Sequence, residues 1–85
     1  MEKNLYLYSA HYCPFCIRVE LFMKEHNINL PIRYLDEKPE YRNELKEIGG
    51  KTQIPCLIIN QDPLYESEDI MIWLSKNYIK QHSTL

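Results

Sequence analysis

Eighty-five residues, 45% of them hydrophobic and only two of them glycine, describe one small globular domain spanning residues 1–85, with room for a surface site rather than a deep cavity, and exclude a disordered chain. Ten Lys and Arg against twelve Asp and Glu leave a net charge of -2 without a basic cluster, so no nucleic-acid partner is expected. No apolar run reaches the roughly 18 residues of a membrane span, the N-terminus lacks the basic-then-apolar layout of a signal peptide, and three cysteines are too few for a disulfide-held secreted scaffold, so the expectation is a cytoplasmic monomer away from membranes.

Asn4 to Tyr8 reads as a strand, because Leu5 and Leu7 alternate with Tyr6 and Tyr8 across its two faces. Pro14 suits the first position of a helix that runs to about His26. Phe15, Val19, Phe22, Met23 and His26 recur at helical spacing, and Ile17 and Leu21 widen the stripe, which predicts a largely buried helix. Glu20 and Lys24, four apart on the remaining face, read as a solvated pair. Leu30 to Leu35 is a second strand, placed at a sheet edge by Pro31. A second helix opens at Pro39, closes at Gly49 and buries Tyr41, Leu45 and Ile48. Cys56 to Asn60 and Leu64 to Glu66 form a hairpin around the turn Gln61-Asp62-Pro63. The last helix follows Ser67 as N-cap, with Glu68 and Asp69 in its first turn, Lys76 and Lys80 near its end, and Ile70, Trp73, Leu74 and Tyr78 buried.

The order is therefore β-α-β-α-β-β-α, an α/β fold. A right-handed crossover makes the first two strands parallel, and the hairpin adds an antiparallel pair. A four-stranded mixed sheet flanked by three helices follows, and ligands in such sheets sit outside the carboxyl ends of the strands. Cys13 lies there.

Cys13-Pro14-Phe15-Cys16 carries the chemistry. Two thiols three positions apart can close a small disulfide, and a helix starting between them turns its free N–H groups toward Cys13. Cys13 is then the nucleophile, and Cys16, inside the first turn, is the more buried partner. The same spacing is also half of a structural zinc site, for which Cys56, His11, His26 and His82 are the other candidate ligands, with no second pair among them. Redox use is favoured and no metal is expected. Cys56 and Trp73 read as core residues and His11 as a polar loop residue.

Three segments together resemble the glutaredoxins: Cys13-Pro14-Phe15-Cys16, Thr52-Gln53-Ile54-Pro55 and Tyr65-Glu66-Ser67-Glu68-Asp69. The resemblance covers essentially the whole chain and implies a thioredoxin fold and a glutathione-dependent thiol–disulfide oxidoreductase. Its implied partners are glutathione and disulfide-bonded or glutathionylated proteins. Cys13 would form a mixed disulfide that Cys16 or a second glutathione resolves. The resemblance further implies a cis Pro55, Ile54 offering its backbone to the cysteinyl part of glutathione, and Glu66 and Ser67 holding the γ-glutamyl end. Tyr12, Phe15, Lys51 and Gln53 complete the implied glutathione site. Two departures stand out: Ala10 occupies the place where many glutaredoxins have a lysine, and Tyr65-Glu66-Ser67 replaces the usual Gly-Gly and Asp-Asp pattern. The third segment is similar to glutathione transferases as well, which suggests a transferase-like branch. An iron–sulfur or metal-binding module and a glutathione-binding domain without turnover are the alternative functions.

Overall fold

The computed structural model describes residues 5–79; Asn4, Lys80 and His82 lie outside the described residues. Strand β1 (Leu5–Ser9) pairs in parallel with β2 (Ile32–Tyr34) and antiparallel with β3 (Cys56–Ile59), and β3 pairs antiparallel with β4 (Asp62–Tyr65). The sheet order is β2-β1-β3-β4, mixed, with β2 at one edge as the position of Pro31 requires. Helices α1 (Pro14–Glu25), α2 (Glu40–Gly49) and α3 (Ser67–Leu74) complete the expected order, and a π-helical turn, Ser75–Ile79, extends α3.

The sheet separates two apolar clusters. On one face Leu7, Val19, Met23, Leu57, Ile70 and Leu74 pack together beneath α1 and α3; on the other Tyr8, Leu35, Leu45, Cys56 and Ile58 pack beneath α2. The period-two alternation of β1 and β3 sends successive residues to opposite clusters, and each fully buried Leu or Ile contributes about 1.5–3 kcal/mol relative to exposure. Trp73 and Tyr78 are partly buried against the first cluster.

Local geometry departs from expectation at four places. The hairpin turn is Asn60-Gln61, both with positive φ (51° and 76°), and Asp62 and Pro63 belong to β4. A two-residue link of left-handed residues matches the twist of the flanking strands, and Pro63 is tolerated because β4 is an edge. Glu66, at φ 75°, is the N-cap of α3, and Ser67 is its first residue. The Glu66 carbonyl already accepts from the Ile70 N–H at 3.0 Å, which moves the cap one position earlier. Helix α1 is less buried than its periodicity suggests: Cys16, Val19 and Met23 are inside, whereas Phe15, Ile17 and Leu21 are 58%, 44% and 54% exposed and His26 is an exposed C-cap. One sheet face and α3 cover a single stripe of α1, and the residues that widen the stripe fall beyond it. Finally, Glu20 is half-buried and turns to Ser9 and Tyr34 rather than pairing in solvent with Lys24. Helix α2 runs to Gly49 as expected and is capped by the next residue, Gly50 at φ 85°, while a Cβ on Gly49 would collide with the Tyr65 hydroxyl.

Candidate active site

The carboxyl end of β1 leads through Ala10, His11 and Tyr12 into the first turn of α1, where Cys13 is the N-cap with extended backbone (φ -95°, ψ 117°). Pro14 at the first helical position removes an N–H that would have no partner, and its ring fixes the entry angle. The Cys16 N–H points at Cys13 Sγ, 3.4 Å away, and the Ile17 N–H closes onto the Cys13 carbonyl at 2.9 Å. An N–H aimed at sulfur from a helix start is the arrangement a thiolate accepts.

The two thiols differ in their surroundings. Both are free; Cys13 is part-exposed and Cys16 is fully buried. Burial, and then its hydrogen bond to Cys13, push the Cys16 thiol up to about 12. Cys56 is also fully buried, in the opposite apolar cluster, and burial pushes its thiol up to about 11. The structure therefore supports a core position for Cys56 and brings Cys13 and Cys16 together.

Six of the residues expected at a glutathione site share one cavity of about 250 Å³: Phe15, Gln53, Ile54, Pro55, Glu66 and Ser67. The Ile54-Pro55 bond is cis, as the motif implied. Gln53 Nε2 reaches Glu66 Oε2 at 3.4 Å, linking the two loops that form the cavity wall. Ser67, nearly buried, opens α3, whose first-turn N–H groups give this wall a positive character. Tyr12 and Lys51 are not among the lining residues. Tyr12 is 65% exposed, and the Lys51 ammonium lies 4.5 Å from the centre of the Tyr65 ring, whose hydroxyl donates to the Lys51 carbonyl.

An adjoining cavity of about 290 Å³ repeats Phe15, Glu66 and Ser67 and adds Arg18, Glu68 and Asp69. Arg18 is the one cation among the residues lining these two cavities, and sequence reasoning passed over it. Its signal was available: Arg18 follows Phe15 by three on a helix, and residues three apart share a face.

A second polar group lies behind the thiols. Ser9, fully buried at the end of β1, donates to Glu20 Oε2 at 2.5 Å, and the Tyr34 hydroxyl donates to Glu20 Oε1 at 2.7 Å. Burial, then the bond to Glu20, push the Tyr34 hydroxyl up to about 12. His11 stacks on Tyr34 with ring centres 3.9 Å apart, and its Nδ1 is 2.9 Å from Asp36 Oδ2, a hydrogen bond that holds its pKa above the ordinary imidazole value. Among the described residues no group of three or more His, Cys, Asp or Glu side chains stands close enough to hold a metal ion.

Comparison with known proteins agrees with this geometry. The sequence family described as Glutaredoxin matches residues 5–64. A glutaredoxin from Pseudomonas aeruginosa is 28% identical over 64 residues, covering 75% of this chain and 76% of that protein. Among solved structures, apo human glutathione-S-transferase T1-1 superposes with a TM-score of 0.77 at 23% identity, covering 89% of this chain and 33% of that one. Oxidized glutaredoxin 2 from Chlamydomonas reinhardtii superposes with a TM-score of 0.67 at 19% identity, covering 93% of this chain and 78% of that one. The chain thus has the thioredoxin fold shared by both groups, and it spans about a third of the length of the transferase it matches.

Proposed function

This chain belongs to the glutaredoxin family, and from that premise we propose that it is a glutathione-dependent thiol–disulfide oxidoreductase. Its substrates are protein disulfides and glutathione mixed disulfides in a reducing compartment, the cytoplasm. The observation that carries the proposal is the placement of Cys13 as the cap of α1, with the Cys16 N–H directed at its sulfur and Phe15 of the same motif lining the cavity walled by Ile54, Pro55, Glu66 and Ser67.

The Cys13 thiolate attacks the glutathionyl sulfur and expels the other half of the disulfide as a thiolate. The Ile54 backbone pairs with the cysteinyl unit of glutathione, which brings that sulfur over the cap of α1. Glu66 receives the γ-glutamyl ammonium, and the Ser67 hydroxyl and N–H receive its carboxylate at the start of α3, with Arg18 adding charge from the adjoining cavity. Lys51 and Gln53 serve the glycyl end, and Tyr12 and Phe15 flank the bound tripeptide. A second glutathione, or Cys16, then releases the product. Family members of this type have potentials of about −200 to −230 mV, close to the glutathione pool, so the direction follows the pool.

Glutathione-dependent reduction of a glutathionylated protein by wild type, Cys13→Ser and Cys16→Ser tests the proposal. Activity retained in Cys16→Ser and lost in Cys13→Ser is the expected pattern; a wild type without glutathione-linked turnover would overturn it.

A further inference from the structure

Resolution of a mixed disulfide by Cys16 requires its sulfur to lose a proton, and Cys16 is fully buried. Water does not reach it there. Ser9 is equally buried and adjoins Cys16 in a way that favours its thiolate, while its own hydroxyl proton is committed to Glu20 Oε2 at 2.5 Å on the other side. A serine whose proton is donated onward has oxygen lone pairs free to accept one. Glu20 follows Cys16 by four residues on α1, so both face β1, and its second oxygen is held by the Tyr34 hydroxyl at 2.7 Å. Among the described residues no direct ion pair to Glu20 forms; the cation that bears on it is His11, which acts only at a distance.

We propose that Ser9 and Glu20 form a proton path that deprotonates Cys16 during the dithiol step, Ser9 in contact with the reacting sulfur and Glu20 acting through it. The proposal rests on the dithiol oxidoreductase reading above. In the mixed disulfide between Cys13 and a substrate thiol, the Cys16 proton moves to Ser9 Oγ as the Ser9 proton moves to Glu20. The freed Cys16 electron pair forms the bond to Cys13 Sγ, the bond from Cys13 to the substrate sulfur breaks, and the substrate leaves as a thiolate. That thiolate takes a proton from solvent, and Glu20 returns its proton to solvent. The mixed disulfide is thereby reduced to a free thiol and the two cysteines are oxidised to a disulfide, with no other reactant.

The groups that face this path are few. Ser9 comes from β1 and Tyr34 from β2, His11 lies within electrostatic reach of Glu20 ahead of α1, and Asp36 and Glu37 bear on Tyr34 from beyond β2. Cys13 approaches from the cap of α1 itself. The Tyr34 ring, stacked on His11, places its hydroxyl on the outer oxygen of Glu20, which leaves the other oxygen on Ser9.

Dithiobis(nitrobenzoate) separates the two thiol steps without glutathione. Attack by Cys13 releases one coloured thiolate and leaves the other on Cys13; resolution by Cys16 releases the second, and Cys16→Ser marks the first release alone. In wild type the second release is expected to vary weakly with pH between about 6 and about 9, because an internal acceptor takes the proton. In Glu20→Gln, which preserves shape, and in Ser9→Ala, the ratio of second to first release is expected to fall about a hundredfold near neutral pH and to rise about tenfold per pH unit, as solvent base takes over. Thermal unfolding of both variants confirms that the folded state is being compared. Second release with wild-type rate and pH slope in both variants would overturn the path alone. Absence of a second release from wild type would instead overturn the dithiol reading beneath it.

Discussion

Tyr8 and Ser9 are neighbours on β1, paired across the ladder with Arg33 and Tyr34 of β2, yet the two rungs lead to opposite sides of the sheet. On the Tyr8 rung, the tyrosine hydroxyl and the Arg33 guanidinium both reach Glu44 of α2 at 2.9 Å, and Arg33 stacks over the Tyr6 ring at 4.0 Å. On the Ser9 rung, two hydroxyls reach Glu20 of α1 and no guanidinium does. One carboxylate is neutralised by a cation and ties strand to helix. The other accepts only from hydroxyls, without a direct ion pair, and that difference separates a structural cluster from the one proposed to take the Cys16 proton.

The largest way to break this contrast is Tyr8→Ala. Tyr8 is 1% exposed and central to the second apolar cluster, so its removal is expected to cost about 3–5 kcal/mol in urea unfolding, as for other large aromatic truncations. Tyr8→Phe keeps the ring and loses the hydroxyl's two bonds, the one donated to Glu44 and the one accepted from Arg33, which should cost about 1–2 kcal/mol by the same measurement. Arg33→Met comes next. Arg33 and Glu44 side chains are 37% and 43% exposed, so solvent screens their ion pair and the expected loss is about 1 kcal/mol, with thiol exchange unaltered. Glu20→Gln should lie below about 1 kcal/mol in the same unfolding experiment, since the amide oxygen still accepts from one hydroxyl and the amide NH2 donates to the other; a loss as large as that of Tyr8→Phe would make Glu20 structural and erase the contrast.

The smallest effect concerns pH. The bond to Asp36 raises the His11 pKa and lowers that of Asp36. A raised histidine contributes stability fully below its unfolded pKa and loses it as pH rises through the folded value; a lowered aspartate contributes above its unfolded pKa and loses it as pH falls through the folded one. The pair therefore operates between the folded Asp36 and folded His11 values. In a nuclear magnetic resonance titration, Asp36→Asn should move the His11 midpoint downward, and an unmoved midpoint would mean that the pair is absent in solution.

Much of the architecture was legible in the chain. Alternation at Leu5 to Tyr8, Pro14 at a helix start, Pro31 near an edge strand and glycine at the end of α2 are local signals, each set by φ restriction or side-chain period within a few residues. They specified the element order, and with right-handed crossover they specified a mixed four-stranded sheet. The Cys13-Pro14-Phe15-Cys16 segment likewise disclosed the cap of α1, because its geometry depends on neighbours only. Less legible were the positions where local signals compete: Asp62 and Pro63 carry turn chemistry but extend as an edge strand, and Ser67 has the composition of an N-cap while Glu66 takes the strained backbone.

The composition and spacing of this chain determined by themselves its fold class, its family resemblance and the position of Cys13 at a helix cap. Tertiary structure alone decided the partner of Glu20, which spacing assigned to Lys24 and solvent, the exposure of Ile17 and Leu21, and the meeting of Phe15 and Arg18 with Glu66 and Ser67. The physical reason is distance along the chain. Periodicity reports which face of an element a residue occupies, but whether that face meets a serine, a sheet or water depends on elements many residues away, brought together only by packing.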